Sequence, residues 1–348
     1  MSGGVDSSVA AALLREAGHE VAGVSINVFS CDRQTQKSCC SARDREDARR
    51  VCESLGIPHM TVDRRASFGE DIVEPFVREY AAGKTPSPCV RCNELVKFRA
   101  LIEESERLGF DAISTGHYAR KLTENSQTRL ARGADETKDQ SYFLFRLAGR
   151  DLEKTIFPLG EISKEEVRRI AGEMNLPVSE KPDSQEICFV PDGDCAAFVE
   201  SRAGASLKGP GNFVDSCGRV LGRHRGIHAY TIGQRRGLGF GVGVRQYVVR
   251  IDPERNEVVL GEDRDLFQRK MRISALTWAG EEPDSCFRAM VRIRSTHAGA
   301  PASVELLEDR SALVCFDEPV RAIAPGQSAV FYEGDLVRGG GTIESVVT

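Results

Sequence analysis

The sequence predicts an α/β chain built on a doubly wound parallel sheet, followed by a small central domain and a C-terminal β-barrel. Three observations carry this. Helical and extended segments alternate from residue 1 to about 200, the pattern of parallel strands joined by helical crossovers. From about 201 to 268 the texture shifts to Gly, Arg and short extended runs. From 269 to 348 it reads as strand and turn at the spacing of a small barrel. A chain of 348 residues exceeds one typical domain of roughly 150 residues, so the expected division is 1–200, 201–268 and 269–348.

The elements follow in order. Ser7 to Ala17 reads as a helix behind a glycine turn, Glu20 to Val28 as a β-rich run, Ala42 to Leu55 as a charged amphipathic helix and His59 to Val62 as a short strand. Asn93 to Leu108 is helical by period, Asp111 to Thr115 is a strand of the buried type, and Ser163-Lys-Glu-Glu166 opens another helix with a capping box. In the central region Gln246 to Ile251 and Glu257 to Leu260 are extended. The barrel strands are placed at Phe287 to Ile293, Ala302 to Leu307, Ala312 to Phe316 and Ser328 to Tyr332.

Composition narrows the function classes. The chain is 41% apolar and 28% charged, and no apolar stretch approaches the roughly 20 residues that span a bilayer, which describes a soluble globular protein. No basic segment followed by an apolar one opens the sequence, so a reducing, cytoplasmic compartment is expected. There, eleven cysteines at irregular spacing are not a disulfide framework; a special cysteine belongs to catalysis, redox work or metal binding. A net charge of −5 gives no global attraction for nucleic acid, so any phosphate-binding surface is a local patch. His224 to Arg236 and Arg288 to Arg294 are the basic runs, although solvated faces balanced by nearby acids are the simpler account on charge alone.

The chemistry begins at the N-terminus. SGGVDSS at 2–8 runs straight into the apolar helical stretch VAAALL. Gly3 and Gly4 permit the positive φ of a tight loop whose N–H groups converge on an anion, and the following helix points its positive end at the same place. Ser2, Ser7 and Ser8 add hydroxyls, and the Asp6 carboxylate suits a Mg²⁺ between phosphates. The plain alternative is a glycine turn with Asp6 or Ser7 as a helix cap. No G-x-x-x-x-G-K-[ST] follows, so this is not a Walker loop. The string resembles the PP-loop of the N-type ATP pyrophosphatases, which adenylate a substrate while releasing pyrophosphate; GMP, NAD and argininosuccinate synthetases and tRNA thiolases share it. In that superfamily a strand precedes the loop at the centre of the sheet. Here Met1 stands one residue before it, so the central sheet is expected to lack a strand.

TPSPCVRCNELVKF at 85–98 places Cys89 and Cys92 immediately before the helix expected near Asn93, whose N–H groups and dipole lower a thiol pKa. DSQEICFVPD at 183–192 carries Cys188. Taken singly, Cys188 reads as an inert buried thiol, and the pair as half of a zinc site lacking two further ligands. Taken with TGHYAR at 115–120, KDQSYFLF at 138–145, FPLGEISKEEVR at 157–168, TIGQRRGLG at 231–239 and PGQSAVFY at 325–332, these segments closely resemble the tRNA-specific 2-thiouridylases through all three regions.

The resemblance implies an ATP-dependent sulfurtransferase that turns a wobble uridine of tRNA into 2-thiouridine, with AMP and pyrophosphate as by-products. It implies ATP, with Mg²⁺, on Ser2, Gly3, Gly4, Val5, Asp6, Ser7 and Ser8, with Ile26 and Gly116 near the nucleoside. Cys92 would be the nucleophile and Cys188 the persulfide carrier, linked by disulfide exchange, and a persulfide-donating sulfur carrier or cysteine desulfurase would be the partner. Ser87, Pro88 and Cys89 would lie near the target base, and His117, Lys138, Asp139, Gln140, Arg294, Ser295 and Gln327 would contact tRNA. Two departures stand out. STHAG after Arg294 replaces a more basic string, and Cys89 stands where some members have Asp. Cys89, Cys92 and Cys188 together would also suit a 4Fe–4S cluster with an open fourth position. The competing readings are a small-molecule synthetase with the same loop, which would not need the cysteines, and a nucleotide-sensing RNA-binding protein without turnover. His59, His224 and His297 read as ordinary structural residues.

Overall fold

A computed structural model describes residues 1–29, 42–124, 127–183, 187–238 and 245–347. In the first region the parallel strands form two separate pairs. Gly23–Asn27 runs parallel to His59–Asp63, and Ile113–Ser114 runs parallel to Thr155–Ile156. Among the described residues no strand joins the two pairs. Met1 lies beside the first pair: its nitrogen donates to the Val24 carbonyl, and its own carbonyl accepts from Ser25 Oγ at 2.8 Å.

Helix Val5–Glu16 packs on Ala42–Leu55 and Lys164–Glu173 through Val9, Ala12, Val51, Leu55, Val167 and Ala171. Alanines on its buried face let the helix axes approach closely. The helix Lys164–Glu173 starts where the sequence indicates, because Ser163 Oγ accepts from the Glu166 N–H at 3.2 Å. Glu166 itself pairs with Arg169 at 2.6 Å. Ser163→Ala should therefore lower stability by about 1 kcal/mol, read as a fall in melting temperature; an unchanged transition would show that the cap contributes nothing.

The helix that carries the cysteines begins earlier than its periodicity suggests. It runs as Pro88–Cys92, a π-helical turn Asn93–Phe98 and Arg99–Leu108, ending at Gly109 with φ 78°. Proline at the first position has its φ preset and no N–H to leave unpaired, which explains the start. The positive helix end consequently faces Cys89, and Cys92 lies inside the helix, so the expected placement of both thiols ahead of an N-terminus at Asn93 is corrected.

The C-terminal region is a closed barrel. Strands Phe267–Trp278, Ala312–Arg321, Ala300–Leu306, Cys286–Arg292, Ser328–Glu333 and Leu336–Val347 pair in that spatial order, and the last pairs back on the first. Closure leaves no open ladder. Met271, Ile273, Val291, Val304, Val314, Phe331 and Ile343 fill the interior. The central region is a four-stranded sheet, ordered Val220–His224, Gly211–Val214, Glu257–Gly261, Tyr247–Asp252, with its own core of Phe213, Tyr230, Val248 and Leu260.

The first and third regions are knitted together. A hairpin of the first region, Ala119–Glu124 with Gln127–Arg132, meets the barrel at the pair Ala131 and Leu336. Strand Ser328–Glu333 is buried on both faces: Ala329 and Phe331 belong to the barrel core, whereas Val330 and Tyr332 pack with Val90, Phe98, Tyr142 and Phe145 of the first region. Among the described residues no helix is long and apolar enough to cross a membrane.

Candidate active site

The N-terminal loop is shaped by its own hydroxyls and by one obligatory glycine. Gly3 has φ 72°, and a Cβ there would lie 2.1 Å from the Asp44 carbonyl oxygen. Ser2 N and Ser2 Oγ lie 3.2 and 3.1 Å from Ser7 Oγ, and the buried Ser8 donates to the Gly4 carbonyl at 2.8 Å. Helix Val5–Glu16 starts directly from Gly4, so its first-turn N–H groups and positive dipole end open onto the loop. Gly116 backs onto the same turn: a Cβ there would lie 2.6 Å from Asp6 C and Ser7 N. Ile26 is on the neighbouring strand.

Asp6 is already engaged. Its Oδ1 accepts from Lys164 Nζ at 2.6 Å and from the Tyr118 hydroxyl at 2.8 Å. Burial and the Asp6 carboxylate both push the Tyr118 phenol upward, so it remains a donor. Lys164 Nζ also lies 2.8 Å from Asp183 Oδ1, which Arg168 reaches at 2.8 Å, and Lys138 reaches Oδ2 at 3.0 Å. Burial alone would raise the Asp183 carboxyl, but hydrogen bonds from Lys164 and Lys138 carry it below the usual range. On the other side of the loop Lys181 Nζ donates to the Gly3 carbonyl at 2.8 Å and to Asp44 and Asp47 at 2.6 Å each. Burial opposes the Lys181 charge, yet the two carboxylates prevail and hold its pKa above the ordinary value.

Around Asp6 and Asp183, three cations (Lys138, Lys164 and Arg168) face two carboxylates, and this surplus together with the amides of the loop suits a polyphosphate. Asp6 offers one carboxylate to a metal; Mg²⁺ commonly takes one or two and fills its shell with water and phosphate oxygens, so the residues fit Mg²⁺ with ATP.

The two thiols of the expected relay share one apolar cluster. Cys92 is buried among Phe68, Phe76, Phe189 and Phe198, and the half-buried Cys188 packs against the same cluster. Phe189, next to Cys188, anchors it, with its ring centroid 5.0 Å from Phe76 and 5.5 Å from Phe68. Cys195 packs there too, and burial pushes its thiol pKa up. Cys89 is exposed. Among the described residues no three of His, Cys, Asp and Glu gather as a metal centre requires, so Cys89, Cys92 and Cys188 do not fit a three-thiolate cluster site in this arrangement.

The residues expected near the base and the tRNA divide into exposed and structural groups. Ser87 is half-buried ahead of the buried Pro88, while Lys138, Arg235 and Arg236 reach solvent. Arg294 is partly buried and donates to the Arg321 carbonyl at 2.8 Å. Asp139 is buried, accepting from Arg292 Nη1 at 2.6 Å and from the N–H groups of Gly133 and Ser141 at 3.2 and 3.0 Å. Arg292 also donates to the Ser295 carbonyl. Gln140 Oε1 accepts from Tyr118 N at 3.0 Å, and Gln327 Nε2 donates to the Thr85 carbonyl at 3.0 Å, two residues before Ser87. His117 stacks on Phe98 at 5.8 Å and lies 2.9 Å from Thr115 Oγ1. Burial, aided by Lys97, pushes its pKa down to about 3, so near neutrality it adds no charge to attract phosphate.

Comparison with known proteins decides the family. The domain family described as the tRNA methyl transferase HUP domain matches residues 1–192, the tRNA methyl transferase PRC-barrel domain matches 196–262, and the aminomethyltransferase beta-barrel domain matches 268–343. A tRNA-specific 2-thiouridylase MnmA of Sorangium cellulosum is 47% identical, with 100% of this chain and 91% of the relative covered. Those of Lachnoclostridium phytofermentans and Moorella thermoacetica are 46% and 47% identical, each covering 99% of this chain and 98% of the relative. The chain belongs to the tRNA-specific 2-thiouridylase family.

The family motifs do not by themselves expose Lys164, Lys181, Asp183 and Arg292, the residues that tie this 2-thiouridylase-family site together. One signal was available for Lys164. A lysine in the first turn of a helix opposes the dipole, so its place directly after the cap Ser163 calls for another partner, which Asp6 and Asp183 provide.

Proposed function

We propose that this chain is an ATP-dependent tRNA-uridine 2-sulfurtransferase acting on C2 of the wobble uridine in the cytoplasm. The observation that carries the reading is the meeting of Cys92 and Cys188 on one aromatic cluster, with the segment leading to Cys188 tied to the phosphate loop through Asp183 and Lys164.

The C2 oxygen of uridine is a poor leaving group. It attacks the α-phosphorus of ATP, pyrophosphate departs, and the oxygen becomes part of an adenylate. The amides behind Gly3 and Gly4, with Lys164, stabilise the charge on the departing phosphates. Mg²⁺, when bound, neutralises phosphate charge from Asp6. A persulfide on Cys188, supplied by a sulfur carrier or cysteine desulfurase, attacks C2 through its terminal sulfur and AMP leaves. The Cys92 thiolate then attacks Cys188 Sγ, which releases 2-thiouridine and leaves a Cys92–Cys188 disulfide for a thiol reductant to reopen. The cluster form, with 4Fe–4S on Cys89, Cys92 and Cys188, draws no support from an exposed Cys89 and a buried Cys92. A looped-out anticodon base suits such chemistry, and Lys138, Arg235, Arg236 and Arg294 are the basic groups we assign to the tRNA backbone.

The test is mass analysis of tRNA nucleosides after reaction with ATP, Mg²⁺ and a sulfide source. The wild-type chain should form 2-thiouridine; Cys92→Ser and Cys188→Ser should each abolish it while pyrophosphate release persists. Unchanged turnover in both variants would transfer the protein to the small-molecule synthetases, and ATP and tRNA binding without pyrophosphate release would make it a binding protein. An iron-free preparation active at full rate, also as Cys89→Ala, eliminates the cluster.

A further inference from the structure

We infer that Lys164 and Asp183 are positioning residues that couple occupancy of the phosphate loop to the placement of the Cys188 segment. The inference rests on the nucleotide reading above. One ammonium bridges the two parts: Lys164 Nζ lies 2.6 Å from Asp6 Oδ1 in the loop and 2.8 Å from Asp183 Oδ1. Its side chain is only 10% exposed and stands in the first turn of its helix, where the dipole repels a cation. The two carboxylates, with the Tyr118 ring 5.8 Å away, hold it there.

Asp183 precedes Cys188 by five residues, a reach of at most about 18 Å of extended chain. Two residues upstream, Lys181 fastens the same run to the other flank of the loop through the Gly3 carbonyl, Asp44 and Asp47. The stretch from Lys181 to Asp183 is therefore pinned on both sides of the phosphate loop and leads straight into the cysteine-bearing segment. Neither pin is part of the sulfur chemistry, yet both respond to what sits on the loop.

Without nucleotide, Lys164 divides its hydrogen bonds between Asp6 and Asp183. A divalent cation arriving with ATP competes for the Asp6 carboxylate, and two cations on one carboxylate repel each other. Asp6 passes to the metal and Lys164 is committed to Asp183. An ammonium no longer shared holds Asp183 more firmly, so the Cys188 segment is fixed when the loop is loaded and looser when it is empty. The sulfur carrier on Cys188 thus becomes ordered in the state in which uridine is to be adenylated.

The experiment is alkylation of the full chain by N-ethylmaleimide under anaerobic conditions, read at the Cys188 peptide by mass spectrometry. It is run without and with a non-hydrolysable ATP analogue plus Mg²⁺, at saturation set by each variant's calorimetric Kd. In the wild type the Cys188 rate should fall by about threefold or more on adding the analogue, the scale of one hydrogen bond gained. In Asp183→Asn, which preserves shape, and in Lys164→Met the rates with and without analogue should agree, while Lys164→Arg should restore the protection. Protection that persists in Asp183→Asn and Lys164→Met overturns the inference, because the nucleotide then shields Cys188 directly. A wild type that binds the analogue without protection overturns it too and leaves the nucleotide reading standing. A wild type that fails to bind the analogue overturns both.

Discussion

Asp139→Ala is expected to destabilise the protein by about 3–5 kcal/mol, the cost of stranding a buried charge. The side chain of Arg292 is 10% exposed and that of Asp139 is 3% exposed, at 2.6 Å from each other. Arg292 also lies over the Tyr142 and Tyr332 rings and donates to the His297 and Ser295 carbonyls, so it has no route to solvent once its partner is removed. Asp139 additionally accepts from two backbone N–H groups, which the alanine would leave unpaired. Equilibrium urea unfolding followed by circular dichroism measures the loss. A change below about 1 kcal/mol, accompanied by a large loss of tRNA affinity, would return Asp139 to direct contact with RNA.

Gly3→Ala should remove nucleotide binding with little effect elsewhere. The positive φ costs about 1–2 kcal/mol for a residue with a Cβ. The clash 2.1 Å from the Asp44 carbonyl forces helix Ala42–Leu55 or the loop to shift, at about 1–3 kcal/mol for overpacking. The loop yields more readily than the packed helix, so affinity for ATP should fall by about a hundredfold or more. Gly4→Ala is the control, because at φ −101° its Cβ would meet nothing nearer than Ser2 Oγ at 3.5 Å. Calorimetric titration with a non-hydrolysable analogue compares the two. Equal losses would mean that the glycines act through flexibility and that the shape of the Gly3 turn is unimportant.

Local chemistry was legible in the sequence, and contacts made at long range were not. Ala42–Leu55 and the cap at Ser163 follow from periodicity and side-chain type over a dozen residues. The phosphate loop and the cysteine segments are contiguous strings, so they too could be read directly. The hairpin Ala119–Glu124 with Gln127–Arg132 was missed because Ala119, Leu130 and Ala131 are buried by residues distant in sequence. Strands Phe267–Trp278 and Leu336–Val347, which close the barrel, were missed for related reasons. The first alternates behind polar outward residues, and the second carries Gly339 and Gly340, where a Cβ would approach the Thr277 and Ala329 carbonyl oxygens at 2.3 and 2.4 Å. Those glycines look like turn signals in one dimension and are crowding requirements in three. Likewise Asp139 and Gln327 read as surface groups from motif membership, whereas Arg292 and Thr85, their partners, come from other regions of the chain.

The strand Ser328–Glu333, buried on both faces, makes the boundaries along the chain differ from the lines along which the molecule would come apart. Its Ala329 and Phe331 serve the barrel while its Val330 and Tyr332 serve the first region. A barrel cut free near residue 268 would present Val330, Tyr332 and Val337 to water, and the remaining fragment would bare Val90, Phe98 and Phe145. Neither piece would be a clean module: each would carry half of a shared seam, prone to self-association. Thermodynamically the N-terminal and C-terminal thirds are one cooperative body, and the central third, with a core of its own, is the part that can be lost or exchanged without opening it.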